Sequence, residues 1–276
     1  MLHERIYLDP TDERVYIDTY VADDRTVPKD AMLVIPGGGY HGVCTSREGE
    51  PIALAYMARG FNCFVLHYRV SGYTERPEAD GYPSQLIDAS RAIAYIREHA
   101  AELNVNSERV FAVGFSAGGH LAGSLAILSD DEAVLAAVGC PRGMNRPTAS
   151  VLAYPVVTAL MDTHEGSFSN LMRMPFAEIP EADRRRLSLE ENVTDDSAPL
   201  FIWHTAEDRV VPPVGSLMLA AKYTERGLPV ALHLYPYGGH GAALANEVTA
   251  CGGTASLQPL AEGWLEESIA WLKTIE

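Results

Sequence analysis

A serine flanked by glycines stands between a predicted strand and a predicted helix. The pentapeptide at 114–118, Gly-Phe-Ser-Ala-Gly, follows the apolar run at 109–113 and precedes a second run of small and apolar residues. A serine at such a turn takes a strained backbone angle, and the glycines remove side chains that would collide with the strand and the helix. Because small residues also fill ordinary turns, the flanking strand and helix are what favour Ser116 as a nucleophile.

A serine hydroxyl attacks a carbonyl group only when a base takes its proton, and the base needs a carboxylate to hold it. His240 lies in the glycine-rich stretch 238–241, after a predicted strand at 230–235, and Asp208 follows a predicted strand at 199–204. Serine, acid and histidine in this chain order form one of the known arrangements of such triads. The sequence therefore predicts Ser116 as nucleophile, His240 as base and Asp208 as the acid.

Other residues compete for the roles of base and acid. His204 is the nearest rival to His240, but it ends its strand before the acid. His120, one helical turn beyond the serine, is interpreted as a packing or hydrogen-bonding residue. Glu207 neighbours Asp208, and Asp208 is favoured because the apolar residues and prolines at 209–213 can fix the turn that aims it.

Acyl transfer also passes through an intermediate with a negatively charged oxygen, which preorganised backbone N–H groups stabilise. We expect one donor to be the amide of Ala117, directly after the nucleophile. The second is expected from the loop at 36–40, Pro-Gly-Gly-Gly-Tyr, where Gly38 and Gly39 are favoured because glycine lets the backbone approach a ligand closely. A phosphate-binding loop is the alternative, but the chain lacks the G-x-x-x-x-G-K-[ST] pattern.

Alternating strands and helices are predicted to position these residues. Apolar runs indicate strands at 31–35, 62–68, 109–113, 150–154, 199–204 and 230–235. Alternation within 4–21 indicates one or two outer strands, for which an antiparallel direction is open. Helical periodicity indicates helices at 51–59, 84–103, 117–128, 213–226 and 261–274. This alternation predicts an α/β fold with a mostly parallel central sheet flanked by helices, in a single domain over 1–276.

The stretch at 155–198, called the 155–198 segment below, is longer than a connection between two strands needs. We interpret it as a small cap insertion over the carboxyl ends of the strands, where open α/β sheets bind ligands. An ordinary crossover helix with long loops is the alternative. We interpret four residues as candidates for binding the substrate. They are Phe168, Met172 and Phe176 of this segment and Tyr40 of the 36–40 loop.

Composition narrows the function classes. The 276 residues carry a formal net charge of −16, which opposes nucleic acid and anionic membrane surfaces. The chain has no apolar run of membrane-spanning length, and its beginning lacks a signal-peptide pattern, so a cytoplasmic location is expected. Four scattered cysteines, at 44, 63, 140 and 251, are expected to be free thiols. We expect neither a metal nor an organic cofactor.

Six motifs occur in order along the chain. They are Pro-Gly-Gly-Gly-Tyr at 36–40, Glu-Gly-Glu-Pro at 48–51, Gly-Phe-Ser-Ala-Gly-Gly-His-Leu-Ala at 114–122, His-Thr-Ala-Glu-Asp at 204–208, Val-Pro-Pro at 211–213 with Ser-Leu at 216–217, and Gly-Gly-His-Gly at 238–241. Together they resemble the esterase/lipase branch of the α/β-hydrolases related to acetyl-xylan esterases and feruloyl-esterase-like proteins (BD-FAE-like). The resemblance runs from about residue 30 to the C-terminus.

This resemblance implies an α/β-hydrolase fold and a serine esterase that acts on a small-molecule ester, often an acetyl group on a sugar. Lipases of the better-known pattern carry a histidine before the three glycines, where this chain has Pro36, which favours the acetyl-esterase-like branch. Two alternatives stay open. One is a peptidase of the prolyl-oligopeptidase type, and the other is a hydrolase fold kept as a non-catalytic binding module.

Overall fold

A computed structural model describes residues 1–73, 80–250 and 257–275, and within them eight strands form one sheet. The strands are β1 (Arg5–Tyr7), β2 (Tyr16–Tyr20), β3 (Lys29–Ile35), β4 (Asn62–His67), β5 (Val105–Phe115), β6 (Ser150–Ala153), β7 (Leu200–Thr205) and β8 (Val230–Tyr235). Their order is β1-β2-β4-β3-β5-β6-β7-β8. Of these eight strands, β2 alone runs opposite to the others, so its pairs with β1 and β4 are antiparallel and the remaining pairs are parallel. The expected fold class is thereby confirmed.

Helices flank the sheet. They are α1 (Thr45–Glu48), α2 (Glu50–Met57), α3 (Ser84–Glu98), α4 (Ala100–Leu103), α5 (Ala117–Leu128), α6 (Glu132–Val138), α7 (Glu165–Met172), α8 (Glu181–Leu187), α9 (Val214–Glu225) and α10 (Trp264–Leu272). The single helix predicted at 84–103 is wrong, because the chain leaves helical geometry at His99, with φ −101° and ψ 21°. The sequence pattern also missed α1 and α6, which are too short to show a clear period.

The core covers both faces of the sheet. Alternate residues of β3 point to opposite sides, so Leu33 and Ile35 join one apolar cluster, while Met32 and Val34 join the other. Helix α5 packs in the first cluster and is buried along its whole length except at Leu128. Each fully buried aliphatic side chain contributes about 1.5–3 kcal/mol of apolar burial, so the carboxyl edge of these strands is a rigid platform.

The 155–198 segment connects β6 to β7 through several short helices. Besides α7 and α8 it contains the 3-10 helices Phe176–Glu178 and Leu189–Glu191. The segment contacts the loops at the carboxyl edge of the sheet, where the Asn170 amide donates to the carbonyl oxygen of Gly39 at 2.9 Å. It also contacts helix α5, because the ring of His120 bonds the carbonyl oxygen of Leu187 at 2.8 Å.

Three of the four cysteines lie in the described residues. Cys44, Cys63 and Cys140 are free thiols, and Cys251 lies outside the described residues. In the part of the chain that the structure describes, no helix combines the length and apolar character needed to cross a bilayer.

Candidate active site

Ser116 occupies a strained turn between β5 and α5, with φ 56° and ψ −118°. Two glycines make the turn sterically possible. A Cβ at Gly114 would lie 2.1 Å from the carbonyl oxygen of Gly118, and a Cβ at Gly118 would lie 2.2 Å from that of Ile35. The serine amide donates to the carbonyl oxygen of Ala153 at 3.0 Å. Close backbone packing therefore holds this unfavourable conformation in place.

The ring of His240 lies between Ser116 and Asp208. Its Nδ1 is 2.6 Å from Asp208 Oδ2, and its Nε2 is 2.8 Å from Ser116 Oγ. Because an ionised carboxylate only accepts hydrogen bonds, the ring proton must sit on Nδ1. Nε2 is then left as the acceptor for the serine hydroxyl, which is the arrangement that general-base catalysis needs.

The carboxylate of Asp208 is fully buried, and both of its oxygens are occupied. Oδ1 accepts the amides of Val210 and Val211, each at 2.9 Å, so the turn after β7 fixes its direction. Burial alone would raise the pKa of Asp208, but hydrogen bonds from His204, His240 and the Val211 amide outweigh it. They hold the pKa of this carboxyl well below its ordinary range, so it stays ionised at neutral pH.

His204, the rival weighed as base, contacts the acid rather than the serine. Its Nε2 is 3.3 Å from Asp208 Oδ2 and 3.0 Å from the carbonyl oxygen of Val211, so this nitrogen carries the ring proton. Its Nδ1 then accepts the hydroxyl of Ser216 at 2.9 Å. His204 is thus a buried support for the acid, and its spacing of four residues from Asp208 is the sequence signal for this contact.

The loop that carries His240, here called the 238–243 loop, is tied to the end of β7 at Gly238. The hydroxyl of Thr205 donates to the Gly238 carbonyl oxygen at 2.8 Å. Glu207, the alternative acid, accepts the Gly238 amide at 3.2 Å. Of the two adjacent carboxylates, one therefore bonds the histidine ring and the other bonds the histidine's own loop.

The 36–40 loop approaches the serine from the other side. The amide of Gly37 donates to Glu48 Oε2 at 2.9 Å, so it points away from a ligand. Gly38 and Gly39 have φ values of 131° and 63°, and a Cβ on Gly38 would lie 2.1 Å from the carbonyl oxygen of Gly42. Glycine is therefore required at Gly38 by both its backbone angle and its surroundings.

Three backbone amides of this site are free to bind an anion. Within the described residues, no hydrogen-bond acceptor is found for the amides of Gly38 and Gly39. Ala117 is the first residue of α5, and its N–H therefore has no acceptor within the helix. These amides belong to the residues that the sequence singled out as oxyanion donors.

The tentative substrate-binding residues lie in different surroundings. The side chain of Tyr40 is buried, and its hydroxyl bonds His120 Nδ1 at 2.8 Å. Phe168 is also fully buried, with its ring centroid 5.4 Å from that of His120. These two aromatic rings therefore pack in the core and are not exposed to a ligand. Phe168 lies on the face of α7 that turns inward, which the sequence alone does not fix.

The other two residues of that group lie nearer the surface. Met172 packs partly buried at the edge of the apolar cluster. Phe176 is also partly buried, and its ring is covered by the guanidinium of Arg184, whose carbon lies 4.2 Å from the ring centroid. In the described part of the chain, neither has a hydrogen bond or ring contact with the serine, the histidine or the acid.

The sequence reasoning missed a polar row on α7 that faces the 36–40 loop. A Cβ at Gly39 would lie 3.8 Å from both His164 Cε1 and Ser167 Oγ. These two side chains also bond each other at 2.9 Å, and Asn170 bonds the Gly39 carbonyl oxygen. Burial and then the nearby ring of His240 lower the pKa of His164. The signal was present as polar residues at every third position, 164, 167 and 170.

Across residues 1–73, 80–250 and 257–275, no group of three or more His, Cys, Asp or Glu side chains is arranged to hold a metal ion. The chemistry that the arrangement supports is nucleophilic attack by a hydroxyl, with an adjacent base and preorganised amides.

Known proteins resemble this chain over most of its length. The BD-FAE family model matches residues 17–223. Over 225 residues the chain is 37% identical to endo-1,4-beta-xylanase B of Butyrivibrio fibrisolvens, covering 80% of this chain and 34% of that protein. Over 215 residues it is 27% identical to an acetylxylan esterase of Xylanibacter ruminicola, covering 76% and 40%. The chain thus spans well under half the length of these two curated relatives.

A solved structure extends the likeness to the whole chain. MGS-M1, an alpha/beta hydrolase enzyme from a Medee basin deep-sea metagenome library, superposes with a TM-score of 0.78 at 31% identity, covering 100% of this chain and 98% of that one. The expected α/β-hydrolase fold is therefore confirmed.

Proposed function

This chain belongs to the BD-FAE family, and from that premise we propose that it is a serine esterase that hydrolyses short-chain carboxylic esters. Ser116 attacks the ester carbonyl while His240 takes its proton, and His240 then donates that proton to the leaving alcohol. Water, deprotonated by the same ring, releases the acid from the acyl-enzyme. Asp208 keeps the ring in the required tautomer and stabilises the imidazolium.

One observation carries this proposal. Ser116 Oγ donates to His240 Nε2 at 2.8 Å, which places the base to take the serine proton, and His240 Nδ1 donates to Asp208 Oδ2 at 2.6 Å, which holds the ring in that orientation. The first distance lies within the range that proton transfer between a nucleophile and its base requires.

The free amides of Gly38, Gly39 and Ala117 support the same chemistry. In the proposed mechanism they donate to the oxygen that becomes negative when Ser116 attacks. Loss of one such donor costs about 10²–10³-fold in kcat in serine hydrolases. The ionised Asp208 keeps its negative charge on the far side of His240, away from this oxygen.

We further propose that the substrates carry acetyl groups on sugars. The relative named as an acetylxylan esterase supports the acetyl group. The half-buried side chains of His164 and Asn170 support a hydroxylated alcohol, because they offer hydrogen-bonding groups beside the 36–40 loop, while the buried Ser167 holds the ring of His164. In this proposal the 155–198 segment acts as a cap on a single α/β-hydrolase domain, and His164 and Asn170 contact the sugar.

The test pairs covalent labelling with a panel of esters. We expect a fluorophosphonate to label the protein once, and p-nitrophenyl acetate and acetylated xylo-oligosaccharides to be hydrolysed. Ser116→Ala should abolish both the labelling and the hydrolysis. Ser124→Ala is the matched control, since Ser124 is buried on the same helix and bonds only the His120 carbonyl oxygen.

Each outcome decides one part of the proposal. Labelling that persists in Ser116→Ala would reassign the nucleophile, and an unlabelled wild-type protein would favour a binding module. Hydrolysis of p-nitrophenyl acetate without that of any acetylated sugar would overturn only the sugar assignment. Faster cleavage of aminoacyl amides than of esters would favour a peptidase.

A further inference from the structure

A buried carboxylate lies directly behind the proposed nucleophile and has no role in the mechanism above. Glu48, the last residue of α1, is 2% exposed. Its Oε2 accepts the Gly37 amide and its Oε1 accepts the hydroxyl of Tyr154, both at 2.9 Å. Burying a carboxylate is costly unless hydrogen bonds and charges compensate it, so this placement calls for an explanation.

Tyr154 extends the contact to the loop that carries the histidine. Its hydroxyl oxygen accepts the amide of Ala243 at 2.9 Å, and its ring centroid lies 5.1 Å from that of His240. Burial raises the pKa of Tyr154, and the nearby carboxylate of Glu48 raises it further. The phenol therefore keeps its proton and donates it to Glu48 while it accepts from Ala243.

The two loops on either side of Ser116 are thus attached to one carboxylate. The 36–40 loop is bound through Gly37, and the 238–243 loop is bound through Tyr154. The space between them is tight, because a Cβ at Gly37 would lie 2.8 Å from Glu48 Oε2 and 3.0 Å from Ser116 Cβ. A shift of this carboxylate would move the oxyanion donors relative to the histidine.

We propose that Glu48 is a positioning residue, which sets the distance between the oxyanion donors and His240 by bonding Gly37 directly and the 238–243 loop through Tyr154. The inference rests on the proposed esterase function. Glu48 acts through other groups, since its oxygens bond the backbone and a phenol and not Ser116 Oγ.

The charge of Glu48 alone would oppose an oxyanion that forms nearby. The guanidinium of Arg47 offsets it, with Nη2 lying 3.6 Å from Glu48 Oε1. The same guanidinium lies against the residue after the histidine, because a Cβ at Gly241 would be 2.9 Å from Arg47 Nη2. Arg47 therefore lies against the 238–243 loop, close to the point at which Tyr154 joins that loop to Glu48.

Two substitutions separate positioning from simple support of the fold. Glu48→Gln keeps the side-chain volume but replaces one acceptor oxygen with an NH₂ group, so one of the two bonds is lost. Tyr154→Phe removes the phenol that joins Glu48 to Ala243. We expect each to lower kcat by about 10- to 100-fold, with KM for p-nitrophenyl acetate within about threefold, since small misplacements of catalytic groups have effects of this size.

The rates are expressed per active site, counted by exhaustive fluorophosphonate labelling, so unfolded protein does not contribute. Tyr56→Phe is the matched control, because Tyr56 is buried in the same apolar cluster as Tyr154, but its hydroxyl bonds Ser268 Oγ of α10 at 3.0 Å and not Glu48. Its kcat per site should equal that of the wild type. The double variant Glu48→Gln/Tyr154→Phe should fall no further than the worse single variant by more than about threefold, because both changes break one connection.

An unchanged kcat per labelled site in Tyr154→Phe and in Glu48→Gln would overturn the positioning role. Fully multiplicative losses in the double variant would overturn the connection between the two residues. If Glu48→Gln does not fold, Tyr154→Phe alone decides. A wild-type protein that hydrolyses no ester would instead refute the proposed function, which keeps the two failures distinct.

Discussion

The strand-borne side of the site and the 155–198 segment are held in place by different contacts. Around the serine, a Cβ at Gly114 or Gly118 would meet backbone oxygens at 2.1 and 2.2 Å. In α7, the nearest atoms to a Cβ at Gly166 would be those of the His164 ring, at 3.3 Å. Backbone sterics therefore fix the nucleophile, whereas side-chain packing fixes the residues that face it.

This comparison predicts that the largest losses of activity come from the strand-borne side. In Asp208→Asn, the remaining oxygen can still accept the amides of Val210 and Val211, so the fold should persist. The new NH₂ group faces His240 Nδ1 and favours the wrong tautomer of the ring. We expect kcat to fall by about 10³–10⁴-fold, as removal of the acid does in other serine hydrolases.

The measurement is kcat for p-nitrophenyl acetate, with unfolding followed in parallel by urea titration. Asp195→Asn serves as the control, since that carboxylate is largely exposed and pairs with Arg226 at the surface. A loss below about tenfold in Asp208→Asn would remove Asp208 from the proposed triad.

The next largest difference between the strand-borne side and the 155–198 segment is expected in the free energy of unfolding. We expect Gly118→Ala to destabilise the fold by several kcal/mol, because its Cβ would overlap the Ile35 carbonyl oxygen and backbone must move. Gly166→Ala should change the free energy of unfolding by no more than about 1 kcal/mol, since alanine favours a helix and the nearest atoms belong to the His164 ring, a side chain that can move. Urea unfolding of both variants measures the difference, and equal losses would contradict the comparison.

The same contrast explains what the sequence could predict. Ser116, Asp208 and His240 each follow a strand, and strands of a parallel sheet end at one edge, so pattern and chain order sufficed to bring them together. Gly38 and Gly39 could be singled out as candidate oxyanion donors because few residues tolerate such backbone angles. These predictions depend on backbone geometry, which a sequence pattern records directly.

The rotation of α7 about its axis, by contrast, is not set by backbone geometry that a sequence pattern records. Phe168 is an obvious candidate for a ligand pocket by residue type, yet it is buried against His120, and the polar row at His164 and Ser167 faces the 36–40 loop. A short helix in a long connection can turn either face inward, and the choice is made by distant partners. The bonds of Glu48 could not be predicted for the same reason, although the residue stands in the motif at 48–51, since they reach residues 11 and 106 positions away.

His120 joins the two regions and predicts a pH effect on stability. Its Nε2 bonds the Leu187 carbonyl oxygen, so this nitrogen carries the proton and Nδ1 accepts the hydroxyl of Tyr40. Burial lowers the pKa of His120 to about 4. The unfolded chain binds a proton near pH 6.5 and the folded chain does not, so stability is lost as the pH falls from about 6.5 towards 4.

We expect His120→Asn to reduce the loss of unfolding free energy between pH 7 and pH 5 by up to about 2 kcal/mol. Urea titrations at the two pH values measure it. His67→Gln is a useful companion, because burial also lowers the pKa of His67 to about 4, but this residue lies on β4, away from the 155–198 segment. If the stability of His120→Asn depended on pH as strongly as that of the wild type, the contact of His120 with Tyr40 and Leu187 would not require a neutral imidazole.

The smallest effect is expected at the polar row. Substitutions there should change the affinity for a sugar ester and leave the rate with a simple ester nearly unchanged. His164→Ala removes a ring beside Gly39 but leaves the serine, the histidine and the acid untouched. KM for an acetylated xylo-oligosaccharide should rise by about three- to tenfold, the value of one hydrogen bond, with p-nitrophenyl acetate hydrolysis within about twofold of wild type. Phe168→Leu should do the reverse, lowering stability through a core cavity while leaving the preference for the sugar ester unchanged. If Phe168→Leu altered that preference and His164→Ala did not, the apolar face of α7 would be the one that meets the substrate, and the assignment of faces drawn from the structure would have to be exchanged.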